Sequence, residues 1–135
     1  MEIRPIQSSE LEAARQLLLA NGWDRKVATL AEFSELVARS SIALVAMQGN
    51  QVVGFLRALT DGLTNGYISM VVVHAQHRGQ GIGCALVQAA MGTDESITWV
   101  LRATRSPTLH RFYEKLGFSV SSVAMERTAK KKPVA

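Results

Sequence analysis

The sequence predicts a mixed α/β fold in which helices cover both faces of a mostly antiparallel sheet. Two apolar strands flank the turn Gly49-Asn50, which is typical of a hairpin, and a third apolar strand begins at Tyr67. Strands and amphipathic helices alternate after it, which indicates crossover connections. Because the chain has 135 residues, 47% of them hydrophobic, we expect one domain over residues 1–128 and a basic tail over 129–135.

The elements of the first half follow from hydrophobic periodicity and from their boundary residues. Ser8 or Ser9 is a suitable N-cap for a helix whose apolar side chains recur at helical spacing, and Asn21-Gly22 ends that helix. The third strand is apolar on both faces, as central strands are. The predicted elements are, in order, a strand over Ile3–Ile6, that capped helix, a helix over Val27–Arg39, and strands over Ile42–Met47, Val52–Leu56 and Tyr67–His74.

The second half of the chain predicts two strand–helix–strand crossovers. A helix over Gly81–Met91 has a stripe of apolar side chains and leads to a strand over Ser96–Ala103. Ser106-Pro107 then provides a hydroxyl cap and a proline at the first helical position. This last helix ends at Gly117, and a final strand is predicted over Phe118–Met125.

The formal net charge of +4 comes mostly from Lys130 to Lys132 in the C-terminal tail. We expect a frayed, solubilising tail, and the alternative is a tether for an anionic partner. Nucleic acid is disfavoured because only 6% of the residues are aromatic and none alternate with basic ones. The longest apolar run, Met70–Val73, is far short of the roughly 20 residues of a membrane helix, and no signal peptide is evident. These features predict a cytoplasmic protein with no membrane partner.

A glycine-rich segment lies between the third strand and the next helix. From His77 to Cys84 it reads His-Arg-Gly-Gln-Gly-Ile-Gly-Cys. Alternate glycines let backbone N–H groups converge at a helix N-terminus, which predicts that an anion, most favourably phosphate, binds there. A P-loop is disfavoured because it needs Gly-Lys-Ser/Thr, and a dinucleotide motif is disfavoured because Cys84 stands at its third glycine. A turn without a ligand is the structural alternative.

Three segments together resemble small bacterial-type members of the GNAT family of acetyl-CoA-dependent N-acetyltransferases. They are the strand Met70–Val73, the spacing Arg78-x-x-Gly81-x-Gly83, and Phe112–Phe118, which is similar to the family's Phe/Leu-Tyr-Glu-Lys-x-Gly-Phe signature. The resemblance covers nearly the whole chain. It implies the acyl-CoA N-acyltransferase fold.

The resemblance also implies acetyl-CoA as cosubstrate and no metal. In the family, backbone amides of the glycine turn hold the coenzyme A pyrophosphate, and the central strand pairs with the pantetheine arm through its backbone. The residues that this implies as coenzyme-binding are Val71, Val72, Val73, Arg78, Gly79, Gln80, Gly81, Ile82, Gly83, Cys84, Ser106, His110 and Phe112.

Tyr113 is the catalytic residue that the resemblance implies, as the proton donor to the departing coenzyme thiolate; otherwise it is a core aromatic residue. A neutral amine attacks the activated thioester, and a backbone amide of the central strand stabilises the oxyanion. Some family members have a glutamate base early on that strand, where this chain has Tyr67. The candidates for the base here are Asp61, His74 or a chain of water molecules.

The chain also departs from the family pattern. Ser106 replaces an asparagine that is common in the family, so it either contacts the coenzyme or only caps its helix. Only Phe118–Arg127 remains where two final strands usually shape the acceptor pocket, so that pocket is truncated, open or completed in a homodimer. The loop Trp23–Arg25 borders the acceptor in the family. Cys84 has no evident catalytic partner, and we expect it to be structural.

These observations predict transfer of an acetyl group from acetyl-CoA to a primary amine by direct attack, with a small-molecule amine favoured. A protein N-terminus or a lysine side chain is the alternative acceptor. A non-catalytic acyl-CoA-binding sensor on the same fold is the alternative of a different class, because a carboxylate is missing at Tyr67 and the acceptor region is short.

Overall fold

The computed structural model describes residues 1–130, and the chain divides into two units, Met1–Arg102 and Ala103–Ala135. The first unit has a five-stranded sheet in the order β1-β2-β3-β4-β5, with antiparallel neighbours except for the parallel pair β4–β5. The mostly antiparallel mixed sheet is therefore confirmed. Its elements are β1 (Glu2–Pro5), α1 (Leu11–Ala20), α2 (Leu30–Ala38), β2 (Ile42–Gln48), β3 (Gln51–Thr60), β4 (Asn65–Val73), α3 (Ile82–Met91) and β5 (Thr98–Leu101).

Helices α1 and α2 cover one face of the sheet, as the amphipathic spacing predicted. The core on this face is fully buried, and Phe33 of α2 meets Phe55 of β3 edge to face with ring centroids 5.5 Å apart. Alternation along β2 and β4 sends their side chains to this side, and in β3 a bulge at Val53 brings Val52 to the same side as Phe55. The buried members of this cluster are Ala14, Leu17, Leu18, Val27, Phe33, Val45, Met47, Val52, Phe55, Met70 and Val72.

Helix α3 packs on the opposite face of the sheet. A Cβ atom at Gly54 would lie 2.9 Å from Leu86 Cδ1 and 3.1 Å from Ile82 Cγ2, so the missing side chain lets α3 approach the strand closely. Ile82 and Leu86 are buried in this contact. Helices therefore cover both faces, and α3 is fixed where its N-terminus follows directly from the end of β4.

The central strand β4 contains a bulge that the apolar pattern did not indicate. Arg57 of β3 pairs with Met70, whereas the next residue, Ala58, pairs with Ile68, so Ser69 is an extra residue in β4. Parallel pairing with β5 ends at Ile68, opposite Leu101. The bulge thus separates a first half of β4 with strands on both edges from a second half, Met70–Val73, that pairs only with β3.

Two predicted helix starts are wrong. The second helix begins at Leu30 rather than Val27, because Lys26 has a positive φ of 63° and the Thr29 hydroxyl caps the helix by accepting from Glu32 N (3.2 Å). At α1, Ser8 and Ser9 lie in a short 3-10 turn and do not cap the helix.

Glu10 takes the capping role at that turn and is the buried charged residue of the first unit. Its Oε1 accepts from Gln7 N at 2.8 Å and from Arg4 Nη1 at 2.9 Å, and its Oε2 accepts from Arg4 Nη2. The hydrogen bonds from Arg4 are the main reason why the pKa of Glu10 is lowered. This bidentate pair joins β1 to the start of α1.

The second unit contains α4 (Pro107–Glu114). The predicted strand over Phe118–Met125 is wrong, because residues 115–130 form no strand. The Ser121 hydroxyl accepts from the backbone N of Val123 (3.2 Å) and Ala124 (2.9 Å), and this local turn removes donors that a strand would pair. Val120, Val123 and Met125 are 80%, 89% and 98% exposed. One predicted crossover, β4–α3–β5, is therefore present and the second is not.

The single-domain boundary at residue 128 stays a prediction. The predicted basic tail over 129–135 falls mainly on residues 131–135, which lie outside the described residues.

Candidate active site

The second half of β4 presents unpaired backbone groups along one edge. His74 N donates to Val53 O at 2.8 Å. Because hydrogen-bonded and non-hydrogen-bonded pairs alternate along an antiparallel ladder, Val72 and Phe55 form a hydrogen-bonded pair. The next pair, Val73 and Gly54, exchanges no hydrogen bonds. By the same alternation, the N–H and C=O groups of Val71 and Val73 point away from β3. No strand within residues 1–130 covers that edge beyond Ile68. An extended amide-containing ligand can pair with it as a further strand would.

The glycine turn continues directly from this edge and presents a run of free amides. Gly79 and Gly81 have φ of +77° and +81°, a left-handed conformation that glycine adopts without strain. The first helical bond of α3 runs from Ala85 N to Gly81 O at 3.0 Å. Within the described residues the amides from Gly79 to Cys84 therefore have no hydrogen-bond partner, and the helix dipole adds positive potential there. This arrangement fits a phosphate group.

The structure starts α3 one residue later than the predicted Gly81. Because α3 begins at Ile82, Cys84 is its third residue. Its thiol is partly buried and free. The Cys84 amide still belongs to the unpaired run, since the first intrahelical bond comes from the next residue.

Two side chains hold the glycine turn against the rest of the first unit. Arg78 Nη2 donates to Asn21 Oδ1, and Asn21 Nδ2 donates to Leu17 O of α1 at 2.8 Å. Gln48 Nε2 at the end of β2 donates to Gln80 Oε1 at 3.5 Å. Asn21 was recognised only as a helix stop, and its second role depends on the folded arrangement of α1 and the turn.

The other four predicted site residues lie on α4 in the second unit. The Ser106 hydroxyl accepts from Leu109 N at 3.3 Å and so caps the helix. His110 N donates to Ser106 O at 2.9 Å within the same helix. The rings of Phe112 and Tyr113 meet edge to face with centroids 4.9 Å apart, and those of Tyr113 and Phe118 with centroids 5.7 Å apart. Burial raises the pKa of the Tyr113 phenol, so it is protonated at neutral pH.

Of the two side-chain candidates for a base, Asp61 is poorly suited to accept a proton. Its carboxylate accepts from the backbone N–H groups of Leu63, Thr64 and Asn65 and from the Thr64 hydroxyl, and these bonds lower its pKa well below the usual aspartate range. A carboxylate with such a low pKa is a weak base at neutral pH. It therefore shapes the loop between β3 and β4.

His74, the other side-chain candidate, lies at the end of β4. Its Nδ1 accepts from Gln76 N at 3.2 Å and is 3.3 Å from His77 Nδ1, so its lone pair is already in use. The ring also lines an open cleft of about 770 Å³ between α1 and the β2–β3 turn. In the neutral ring Nε2 then carries the proton, so it can donate a hydrogen bond to a substrate but cannot accept a proton from it.

Two further observations concern the described residues. Among residues 1–130, His, Cys, Asp and Glu do not gather in any group of three or more that could hold a metal ion. In the same part of the chain, every helix is too short or too polar to cross a membrane.

Comparison with known proteins agrees with the geometry of the site. The family of GNAT acetyltransferase domains matches residues 39–120, which include β4, the glycine turn and Tyr113. The chain therefore belongs to the GNAT acetyltransferase family. No curated protein matches it.

Solved structures show the same fold. A GNAT-family acetyltransferase from Streptococcus pneumoniae is 22% identical with a TM-score of 0.78, and the match covers 96% of this chain and 97% of that chain. An aminoglycoside 6′-N-acetyltransferase from Acinetobacter haemolyticus is 21% identical with a TM-score of 0.72, and the match covers 98% of this chain and 100% of that chain. An acetyltransferase from Trypanosoma brucei is 26% identical with a TM-score of 0.66, and the match covers 95% of this chain and 99% of that chain.

Proposed function

We propose that the protein transfers the acetyl group of acetyl-CoA to a primary amine, with a small-molecule amine favoured. The observation that supports this most is the open edge of Val71 and Val73 leading directly into the free amides from Gly79 to Cys84. Coenzyme A has the same order of groups, with the amides of pantetheine next to a pyrophosphate. The residues of this chain thus match the coenzyme in hydrogen bonding and in charge.

In this proposal the coenzyme supplies an activated thioester, and the protein aligns it. The neutral amine nitrogen attacks the carbonyl carbon, the C–N bond forms and the C–S bond breaks. A free amide of the bulged strand stabilises the oxyanion, because it makes no hydrogen bond within residues 1–130. The excess proton on nitrogen leaves to water, and the thiolate takes a proton from Tyr113.

Tyr113 is proposed as the acid because the family resemblance implies it and because a phenol is protonated at neutral pH. Burial raises the pKa of this phenol, so it is a weaker acid than a solvent-exposed tyrosine. A protonated phenol beside the sulfur neutralises the leaving thiolate, which shifts the balance toward product. We expect Tyr113→Phe to lower kcat by about tenfold or more and to leave coenzyme A affinity nearly unchanged. Phe118→Leu, which removes a ring that touches Tyr113 but no hydroxyl, is the packing control and is expected to retain kcat.

Thermal unfolding with and without ligands tests the binding step. At a ligand concentration about 100-fold above Kd, linkage predicts ~2.7 kcal/mol of stabilisation, which raises Tm by several degrees. We expect acetyl-CoA and coenzyme A to raise Tm and NADH and ATP not to. No shift with either coenzyme would overturn the proposal.

Thiol release in an amine screen then separates catalysis from sensing. The sensor alternative is favoured by one observation, the absence of a strand in residues 115–130 where the family completes its acceptor pocket. A sensor would bind acetyl-CoA and release no thiol with any amine, peptide or protein acceptor. Turnover with peptides alone would assign a protein acceptor instead of a small molecule.

A further inference from the structure

Arg57 is a half-buried cation on the sheet face that α1 and α2 cover. It lies in β3 between Ala43 of β2 and Met70 of β4, its partners in the strand register. Its Nε donates to the Ser40 hydroxyl at 2.7 Å, and that hydroxyl donates to Leu36 O at 2.7 Å. Ser40, just after α2, therefore positions the guanidinium.

No carboxylate pairs with Arg57 within the described residues. The other partly buried arginines, Arg4 and Arg15, each form an ion pair, with Glu10 and Glu12. Asp61, the acid nearest in sequence, is held by its own loop. Burial lowers the pKa of Arg57, and the nearby Tyr67 oxygen offsets only part of this effect. A half-buried charge without a counterion costs stability, which indicates that an anion completes the site.

The position of Arg57 relates this cation to the reaction centre. Its register partner Met70 directly follows the Ser69 bulge and opens the unpaired half of β4. Neighbouring strands are about 4.8 Å apart, so the guanidinium lies on the strand next to the open edge. Tyr67 lines an open cleft of about 550 Å³ together with Ser41 and Val100. Arg57 is not among the lining residues, and the volume of the cleft accommodates a molecule of amino-acid size.

We propose that the acceptor is a primary amine that also has a carboxylate, and that Arg57 binds this carboxylate. The inference rests on the proposed acetyl transfer. Neither Nη atom of Arg57 makes a hydrogen bond within residues 1–130, so the two can hold both oxygens of a carboxylate. Tyr67 lines the neighbouring cleft and has a hydroxyl that can donate to the same molecule. The amine of the same molecule then reaches the open edge of β4, where the thioester lies in the proposed complex.

Matched amine pairs test this inference through kcat/KM, followed as thiol release. The pairs are phenylalanine with phenethylamine and lysine with cadaverine, in which one member lacks the carboxylate. We expect the carboxylate member to be favoured at least about tenfold, because hydrogen bonds to a charged group are worth that factor or more. Equal values, or a preference for the decarboxylated member, would overturn the inference.

Variants of Arg57 assign the preference to this side chain. We expect Arg57→Gln to lower kcat/KM for the carboxylate members at least about tenfold, mainly through KM, and to leave the decarboxylated amines unchanged. Arg57→Lys keeps the charge and is expected to retain part of the preference. Arg39→Gln, at an exposed arginine paired with Glu35, is the control and leaves both members unchanged. Equal losses for both members in Arg57→Gln would contradict the assignment.

Two further arms complete the experiment. Dipeptides and C-terminally amidated dipeptides distinguish a free amino acid from a peptide C-terminus as the source of the carboxylate. Turnover of decarboxylated amines alone removes the inference and leaves the proposed function in place. Absence of turnover with every amine, together with no rise of Tm on adding acetyl-CoA, removes both.

Discussion

Two regions of the first unit differ in how completely their polar groups are paired. Where β1 meets the start of α1, Arg4 and Glu10 satisfy each other and Gln7 N as well. Around the Ser69 bulge, no carboxylate within residues 1–130 pairs with Arg57, and no strand in that range pairs with the outward amides of Val71 and Val73. Paired groups stabilise the folded chain, whereas unpaired groups are available for a ligand at a cost to stability. We infer from this difference that the first region is structural and propose that the second binds a ligand.

Proline substitutions at neighbouring positions of β4 give the largest expected effect. Val72 N–H belongs to the ladder with β3, so Val72→Pro is expected to lose about 3 kcal/mol or more of unfolding free energy. Val73 N–H faces the open edge, so Val73→Pro is expected to cost much less and to weaken coenzyme A binding at least about tenfold. Urea unfolding and ligand titration measure the two effects. Val72→Ala and Val73→Ala are the controls for the lost side chains. Equal loss of stability in the two proline variants would contradict the account.

Removing the Glu10 carboxylate from the paired region is expected to have the next largest effect on the free energy of unfolding. We expect Glu10→Gln to lower the unfolding free energy by about 2 kcal/mol at pH 7, because Arg4 loses a charge-assisted partner. The pKa of Glu10 is lowered in the folded state, so its contribution is present above the usual glutamate pKa and is lost as the pH falls through the folded value. The difference between wild type and variant in urea unfolding is therefore expected to shrink from pH 7 to pH 3. A difference that grows on acidification would show that another group is responsible.

Glycines at the two ends of α3 separate ligand contact from backbone strain. Gly81 and Gly92 both have positive φ, 81° and 66°, and an added Cβ would meet no atom within 4 Å at either position. We expect Gly81→Ala to lose about 1–2 kcal/mol of unfolding free energy. Gly92 has a ψ of −154°, which places it in a region almost restricted to glycine, so we expect Gly92→Ala to lose about 1–3 kcal/mol. Only Gly81→Ala is expected to weaken coenzyme A binding, by about tenfold or more, since its Cβ enters the run of free amides. Weaker binding in Gly92→Ala to the same extent would attribute the effect to strain.

Replacing the unpaired cation is expected to have the smallest effect on stability. Arg57→Gln removes a half-buried charge without a counterion, so the unfolding free energy is expected to stay the same or to rise by up to about 1 kcal/mol without ligand. The sign is opposite to that of Glu10→Gln. Urea unfolding of both variants in one buffer makes the comparison. A loss as large as that of Glu10→Gln would mean that Arg57 is a structural residue.

The glycine turn was predictable because its information is local. The spacing from Arg78 to Gly83 fixes both the positive-φ positions and the helix start, so the sequence indicated an anion site before any tertiary contact was known. The hairpin and central strand were predictable for the same reason. Their apolar runs are long, and turn residues bound them.

What the sequence could not indicate depends on register or on competition between local structures. The Ser69 bulge appears only when β4 is aligned with β3, and without it the open edge of Val71 and Val73 cannot be located. Arg57 resembles any solvent-facing strand residue until the end of α2 is placed beside it. The strand predicted from Phe118 failed because Ser121 forms a local turn with the following amides.

The central claim is that the open edge of β4 is where acetyl-CoA binds, and backbone amide exchange measured by NMR tests it most directly. In the free protein we expect the amides of Val71 and Val73 to exchange rapidly and that of Val72 to be protected by its bond to β3. Saturating acetyl-CoA is expected to slow exchange at Val71 and Val73 and to leave Val72 unchanged. If Val71 and Val73 were already protected in the free protein, or if acetyl-CoA left their exchange unchanged, the account would be contradicted.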